Sequence, residues 1–396
     1  MENSGKENDC CYGGGRILDE YIIRLMLCCF GAFLGAGSSS CIFGAADMFK
    51  KEDKVIKSGF CLGIEGNKVQ EINYLKGFSI FTIVLMHLMQ CMSALPSQIN
   101  TLASIGGTGV HVFFLCSGIG LYLSYLNRKT SFKDFIDRRF KKIYIPYIIV
   151  VLISFFLPWL YKGADRFWAL LSHVFLYKMF VPKYEESFGT QFWFVSTIIQ
   201  LYLLFIPMCR LKEKMKNNIW FFGLFFFVSF LWWIFCYIVG VSNERIWNSF
   251  CLQYIWEFAL GVVIADELKK GKTITISNWL LLICAFVGIG MQAGMAFFSE
   301  SLKVFNDVPA LLGYTSLALL LMNIPVIKKV GLVLSEFSYE FFLVHMLIFS
   351  SVFYFVKPQG IVRQMVIGVV ALVLALGISY IYKKQMQRLF KCTKSK

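Results

Sequence analysis

Charge is what this sequence has least of. Asp, Glu, Lys and Arg make up 16% of 396 residues, against about 25% in ordinary soluble domains. A water-facing globular surface is thereby excluded for most of the chain. Thirteen cysteines are present, but none form a C-x-x-C pair with zinc-ligand spacing. Most, among them Cys91, Cys116, Cys236 and Cys284, lie inside apolar runs, where they serve as small hydrophobes. Neither a disulfide framework nor a metal site is expected. Cys10-Cys11 and Cys28-Cys29 are candidates for palmitoylation. There is no internal repeat and no low-complexity tract. A cleavable signal peptide is not indicated, because 21 mostly polar residues precede the first apolar run.

What is abundant is apolar. Hydrophobic residues are 57% of the chain, with 41 Phe, 18 Tyr and 9 Trp, and the mean hydropathy is +0.64. A spanning helix needs roughly 20 mostly apolar residues to cross a hydrocarbon core about 30 Å thick. The runs predict an all-α polytopic membrane protein, a bundle of about ten transmembrane helices. The candidate spans are 72–95, 105–127, 143–161, 191–209, 219–241, 246–265, 276–297, 304–323, 339–357 and 362–382. Residues 22–46, rich in small residues, are compatible with an eleventh span, an interfacial helix or a poorly packed leader. Residues 167–181 are too short to span and read as a re-entrant or interfacial helix. The organisation expected is an N-terminal extension (1–66), a transmembrane domain (67–385) and a basic tail (386–396).

Basic residues orient the bundle. Lys50, Lys51, Lys54, Lys57 and Lys68 precede the first span, and the loop near 96–104 has no Lys or Arg. The next loop is dense, with Arg128, Lys129, Lys133, Arg138, Arg139, Lys141 and Lys142. Rich and poor loops go on alternating to the tail. Both ends of the ten-helix core are therefore expected in the cytoplasm, with the lipid bilayer as the main partner. The net charge of +15 is accounted for by topology, so no nucleic-acid partner is expected.

An ionisable residue inside a span is costly and marks a functional hypothesis. Lys76 and His87 lie eleven residues apart in the first span. At about 100° per residue they share a face, separated by about 16 Å of rise. A snorkelling Lys and a satisfied core His are the alternative reading. The second span opens with Gly106-Gly107-Thr108-Gly109-Val110-His111 and reaches Ser117-Gly118, small residues that let helices approach in lipid. Arg138, Arg139 and Lys142 form a basic cluster before the third span, suited to a phosphate-bearing donor or to topogenesis alone. His111, Glu257 and His345 are further polar residues within spans; each taken singly fits a structural hydrogen bond.

Taken together and in order, these stretches resemble the acyltransferase 3 family of membrane-bound O-acyltransferases. Lys76-Gly77 with His87 is similar to that family's basic residue followed by His. Gly106-x-x-Gly109-Val110-x-x-Phe113-Phe114-x-x-Ser117-Gly118 is similar to its second-helix signature. Arg139-x-x-Lys142-Ile143 with Pro146, Trp193-Phe194 through Tyr202 and Pro207, and Ser338-Tyr339 through His345 complete the set. Lys76 stands where Arg is commoner, and Ile198 and Ile199 stand where many members carry Glu. The resemblance covers roughly residues 70–385.

It implies a bacterial cytoplasmic-membrane enzyme moving an acyl group, usually acetyl, from cytoplasmic acyl-CoA to a hydroxyl of an extracytoplasmic carbohydrate. Acetyl-CoA would be a substrate, with no bound cofactor. His87 would be the general base or a covalent acyl relay. Lys76 would orient the donor or stabilise negative charge, and Arg139, Lys142 and Arg138 would hold CoA phosphates. Ser117, His345, His111 and Glu257 would line the pocket. The alternatives are a secondary transporter, which repeated halves would favour, and a non-catalytic subunit of an envelope-polymer assembly. Neither the acceptor nor the oligomeric state is legible.

Overall fold

A computed structural model describes residues 59–63, 69–298 and 300–392. The candidate eleventh span at 22–46 and the paired cysteines of the N-terminal extension lie outside the described residues. In chain order the elements are β1 (Gly59–Leu62), α1 (Gln70–Gln90), α2 (Ser97–Ser104), α3 (Gly109–Asn127), α4 (Phe132–Arg139) and α5 (Ile145–Phe156). Then come α6 (Arg166–Val174), α7 (Trp193–Lys214), α8 (Asn218–Val239), α9 (Arg245–Asn248) and α10 (Cys251–Lys269). The chain continues with β2 (Ile274–Ser277), α11 (Asn278–Phe298), α12 (Asp307–Met322), α13 (Pro325–Ser335), α14 (Ser338–Val356) and α15 (Ile361–Cys392). The two strands form an antiparallel ladder pairing Gly59 with Ser277 and Leu62 with Ile274. Everything else that is regular is helical, and the protein is an all-α polytopic membrane protein.

Among the described residues eight helices are long and apolar enough to cross a membrane, or nine if α12 and α13, bent by 115°, count as one span. Two of the ten expected spans are therefore corrected, one shortened at its end and one at its start. The span expected at 143–161 is a 12-residue helix, α5, about 18 Å long at 1.5 Å per residue. It stops at Leu157, which is extended (φ −101°, ψ 102°); the residue before a proline is pushed out of the helical region, and Pro158 follows. The span expected at 304–323 falls short at its start instead: a 3-10 segment, Glu300–Phe305, precedes α12, which has 16 residues, and the chain turns into α13 at Ile324 (φ −87°, ψ 111°), ahead of Pro325. The segment expected to be re-entrant or interfacial at 167–181 contains α6, nine residues long, and a short 3-10 turn at Lys178–Phe180.

The bundle is built around α10, buried over nearly its whole length, as expected of a helix that is apolar all round. It packs most extensively on α3. The contact is made possible by two glycines: a Cβ on Gly118 would meet the Phe258 carbonyl oxygen, and one on Gly261 would meet that of Leu115. Gly77 of α1 similarly faces Gly331 of α13. By contrast α8, α11 and α15 carry large exposed apolar side chains, such as Phe227, Phe286, Val362 and Val373, the surface that a bilayer would cover.

Candidate active site

His87 lies in the last turn of α1 and His345 in the second turn of α14. They are 258 residues apart in sequence, yet His87 Nδ1 is 3.0 Å from His345 Nε2. The rings stack with centroids 5.1 Å apart. The other nitrogen of His345, Nδ1, is 2.9 Å from the Phe341 carbonyl oxygen. A carbonyl only accepts, so Nδ1 carries the hydrogen and the neutral ring presents a lone pair at Nε2. His87 must then donate through Nδ1–H, which leaves its Nε2 as an unprotonated acceptor. Among the described residues nothing hydrogen-bonds to that atom. His345 is fully buried, caged by the rings of Phe341, Phe342 and Phe349. The pair thus behaves as a base with an orienting partner, assembled from two motifs that the sequence keeps far apart.

The basic residues gather elsewhere. Arg138, Arg139 and Lys142 line a cavity of about 200 Å³ with Ser124, Tyr125 and Thr130. The Arg139 guanidinium lies over the rings of Phe135 and Tyr202, at 5.6 and 5.8 Å. Ser117 abuts the Tyr202 hydroxyl. Lys142 lies within electrostatic reach of Arg139, Lys76 and Glu340. Lys76 therefore belongs with the basic set, on the same α1 face as His87 but well below it along the axis.

Local backbone chemistry places this set. Residues Phe140–Tyr144 form a π-helical turn between α4 and α5. Pro146 has no N–H to give the Lys142 carbonyl, so regular α-helical bonding cannot run through this turn. Two tyrosines satisfy nearby carbonyls: Tyr339 donates to Ile143 at 2.7 Å and Tyr382 donates to Pro146 at 2.6 Å. Single π turns recur at functional sites. Here Tyr339 ties the basic helix to α14, the helix that carries His345.

A third group converges around His111 of α3. Its Nδ1 is 2.6 Å from Glu257 Oε1 of α10, and its Nε2 is 3.9 Å from Asp307 Oδ1 at the start of α12. Gln253 donates to Asp307 Oδ2 at 2.8 Å and to the Val304 carbonyl at 2.9 Å. Sequence reasoning named His111 and Glu257 singly but missed Asp307 and Gln253. Among the described residues this is the one group able to hold a metal ion, with donor atoms within 4.8 Å of one another. Asp307, Gln253, Tyr254 and Arg245 also line a cavity of about 410 Å³. Arg245 lies within electrostatic reach of both His87 and Tyr254, and the Tyr254 ring is 5.5 Å from that of His111.

Outside the spans, the segment between α5 and α7 carries its own buried polar knot. Lys178 donates to the carbonyls of Ser187 and Gly189, at 3.0 and 2.6 Å. Burial pushes its ammonium down to about 7. His173 touches Tyr147 and Ser187, and burial, then the neighbouring Lys178, holds it well below the usual imidazole range.

Comparison with known proteins gives one match. The family model for an acyltransferase domain, that of acyltransferase 3, matches residues 69–383. No curated protein and no solved structure matches.

Proposed function

The chain belongs to the acyltransferase 3 family and is a membrane acyltransferase; from that premise we propose that it transfers an acyl group, acetyl in the first instance, from cytoplasmic acyl-CoA to a hydroxyl of an extracytoplasmic carbohydrate. The membrane is the bacterial cytoplasmic membrane, with the cytoplasmic end of the bundle marked by Arg138, Arg139 and Lys142.

The observation that carries this reading is the free Nε2 of His87, left unprotonated by the chain of hydrogen bonds through His345 to the Phe341 carbonyl. Acyl transfer to an alcohol needs a base for the hydroxyl proton, and imidazole is suited to it near neutral pH. Nε2 takes that proton as the oxygen attacks the thioester carbonyl. The C–S bond then breaks and the departing thiolate receives the proton. Arg138, Arg139 and Lys142 bind the donor's phosphates in the smaller cavity. Lys76 orients the donor or stabilises the developing oxyanion. The roughly 16 Å of α1 between Lys76 and His87 suits an extended donor with its phosphates at one end and its acyl carbon at the other.

The test uses purified full-length protein in lipid nanodiscs, labelled acetyl-CoA and total envelope glycan. His87→Ala is expected to lose roughly 10²- to 10⁴-fold in acyl transfer, the usual contribution of a positioned base. Undiminished activity in that variant would remove His87 from the reaction.

A further inference from the structure

We infer that the cavity between α9, α10 and α12 is the binding site for a hydroxyl-rich sugar acceptor, with Asp307 on its wall and the adjacent His111 holding one of its hydroxyl groups. The inference rests on the acyl-transfer reading above and assigns that reaction's second substrate to a place.

The first support is an unfilled hydrogen-bonding position. His111 Nε2 and Asp307 Oδ1 are 3.9 Å apart, too far to bond each other. An oxygen about 2.8 Å from each would bridge them, the usual O–H hydrogen-bond length.

The second is a surplus of buried acceptors. Gln253 is 2% exposed. Its amide nitrogen serves Val304 and Asp307, which fixes its orientation, and its Oε1 has no partner among the described residues. Glu257 Oε2 is likewise buried without a partner. Leaving such atoms unpaired costs free energy; of the two residues, Gln253 lines the cavity, where an O–H group of a ligand would satisfy it.

The third is the wall. Tyr254 lines the cavity and sits in an aromatic stack with Phe114 and Trp193, at centroid distances of 4.6 and 6.0 Å. Asn248 and Arg245 add donors to the same cavity, whose volume of about 410 Å³ falls in the range of small-ligand sites.

Two other occupants fit less well. The phosphates of an acyl-CoA would meet the Asp307 carboxyl group beside Arg245 and Lys303, whereas the lining of the other cavity carries Arg138, Arg139 and Lys142 and no carboxylate. A metal ion would use His111, Glu257 and Asp307, but it would leave the cavity's amide and guanidinium donors and most of its volume unused. Arg245, on its wall, also lies within electrostatic reach of His87.

The experiment has two arms on the nanodisc-embedded full chain. In the first, saturation-transfer NMR measures binding of methyl glycosides of a hexose, a deoxyhexose, an N-acetylhexosamine and a hexuronic acid. Wild type is expected to bind at least one, and Asp307→Asn and Gln253→Leu to weaken it about tenfold or more. Asn248→Ala, at the cavity wall, is the second line if either variant folds poorly. In the second arm, transfer kinetics are expected to show a raised KM for the glycan acceptor and an unchanged KM for acetyl-CoA. Absence of glycoside binding by wild type would overturn the inference. So would equal binding by the variants, a KM change on the donor side alone, or stoichiometric Zn²⁺ or Mn²⁺ uptake that Asp307→Asn abolishes. Glycoside binding without any acyl transfer by wild type would sink the proposed function and leave the sugar site standing.

Discussion

At the scale of single residues, the arrangement turns on which nitrogen of which imidazole carries a proton. The Phe341 carbonyl fixes His345, and His345 fixes His87. Replacing His345 with Phe keeps an aromatic ring in its cage but removes the acceptor for His87 Nδ1–H. The loss of that hydrogen bond is worth about 1–3 kcal/mol, so acyl-transfer kcat is expected to fall roughly 5- to 150-fold. That is less than the loss expected for His87→Ala, and kinetics on the two variants side by side check the ranking. A variant as active as wild type would mean that the pair does not orient the base. Lys76 and His87 are legible in the sequence because helical periodicity is local. The His87–His345 contact is not, since no period relates residues 258 positions apart. Asp307 is hidden for another reason: an acidic residue in the first turn of a helix reads as favourable to the helix dipole, and nothing local distinguishes it from one that lines a cavity.

At the scale of elements, backbone termination explains what hydropathy does not. Apolar runs locate most of the helices, but the proline at 158 ends one of them early, and the proline at 325 marks the bend between α12 and α13. The same chemistry at Pro146 produces the π turn that carries Lys142, which only Tyr339 and Tyr382 from distant helices complete. The segment between α5 and α7 is held differently, by the Lys178 amine on two carbonyls. Its amine titrates near 7 in the folded chain against 10.5 when free. Between those values the opened segment binds more protons than the closed one, so closure strengthens as pH rises from about 7 to about 10.5 and weakens as it falls back. Amide hydrogen exchange at residues 178–189, corrected for intrinsic rates, is expected to show protection growing over that interval. Lys178→Met is expected to flatten the dependence. A slope unchanged in that variant would assign it to another group.

At the scale of the whole molecule, the two cavities differ in what they can hold: the lining of one is basic without a carboxylate, and that of the other sets a carboxylate and amides beside two cations. One is lined by Arg138, Arg139 and Lys142, the other by Asp307, Gln253 and Asn248 with Arg245 and Lys303. Such a division is useful to a membrane acyltransferase only if the cavities open to opposite sides, and the loop charges predict that they do. The basic loop with Lys133 should face the cytoplasm, and the turn with Gln359, between α14 and α15, should face outward. Both side chains are exposed, so each can be replaced by cysteine and probed with a membrane-impermeant maleimide. Measured against the unsubstituted chain, Gln359→Cys is expected to label in intact spheroplasts and Lys133→Cys only after permeabilisation. The reverse pattern would place the basic cavity outside, away from cytoplasmic acyl-CoA, and the donor would then have to be a different molecule. Labelling of both from one side would mean that an even number of crossings separates the two loops, so that one of α5 and the α12–α13 pair crosses in addition to the five long helices between them and the other does not.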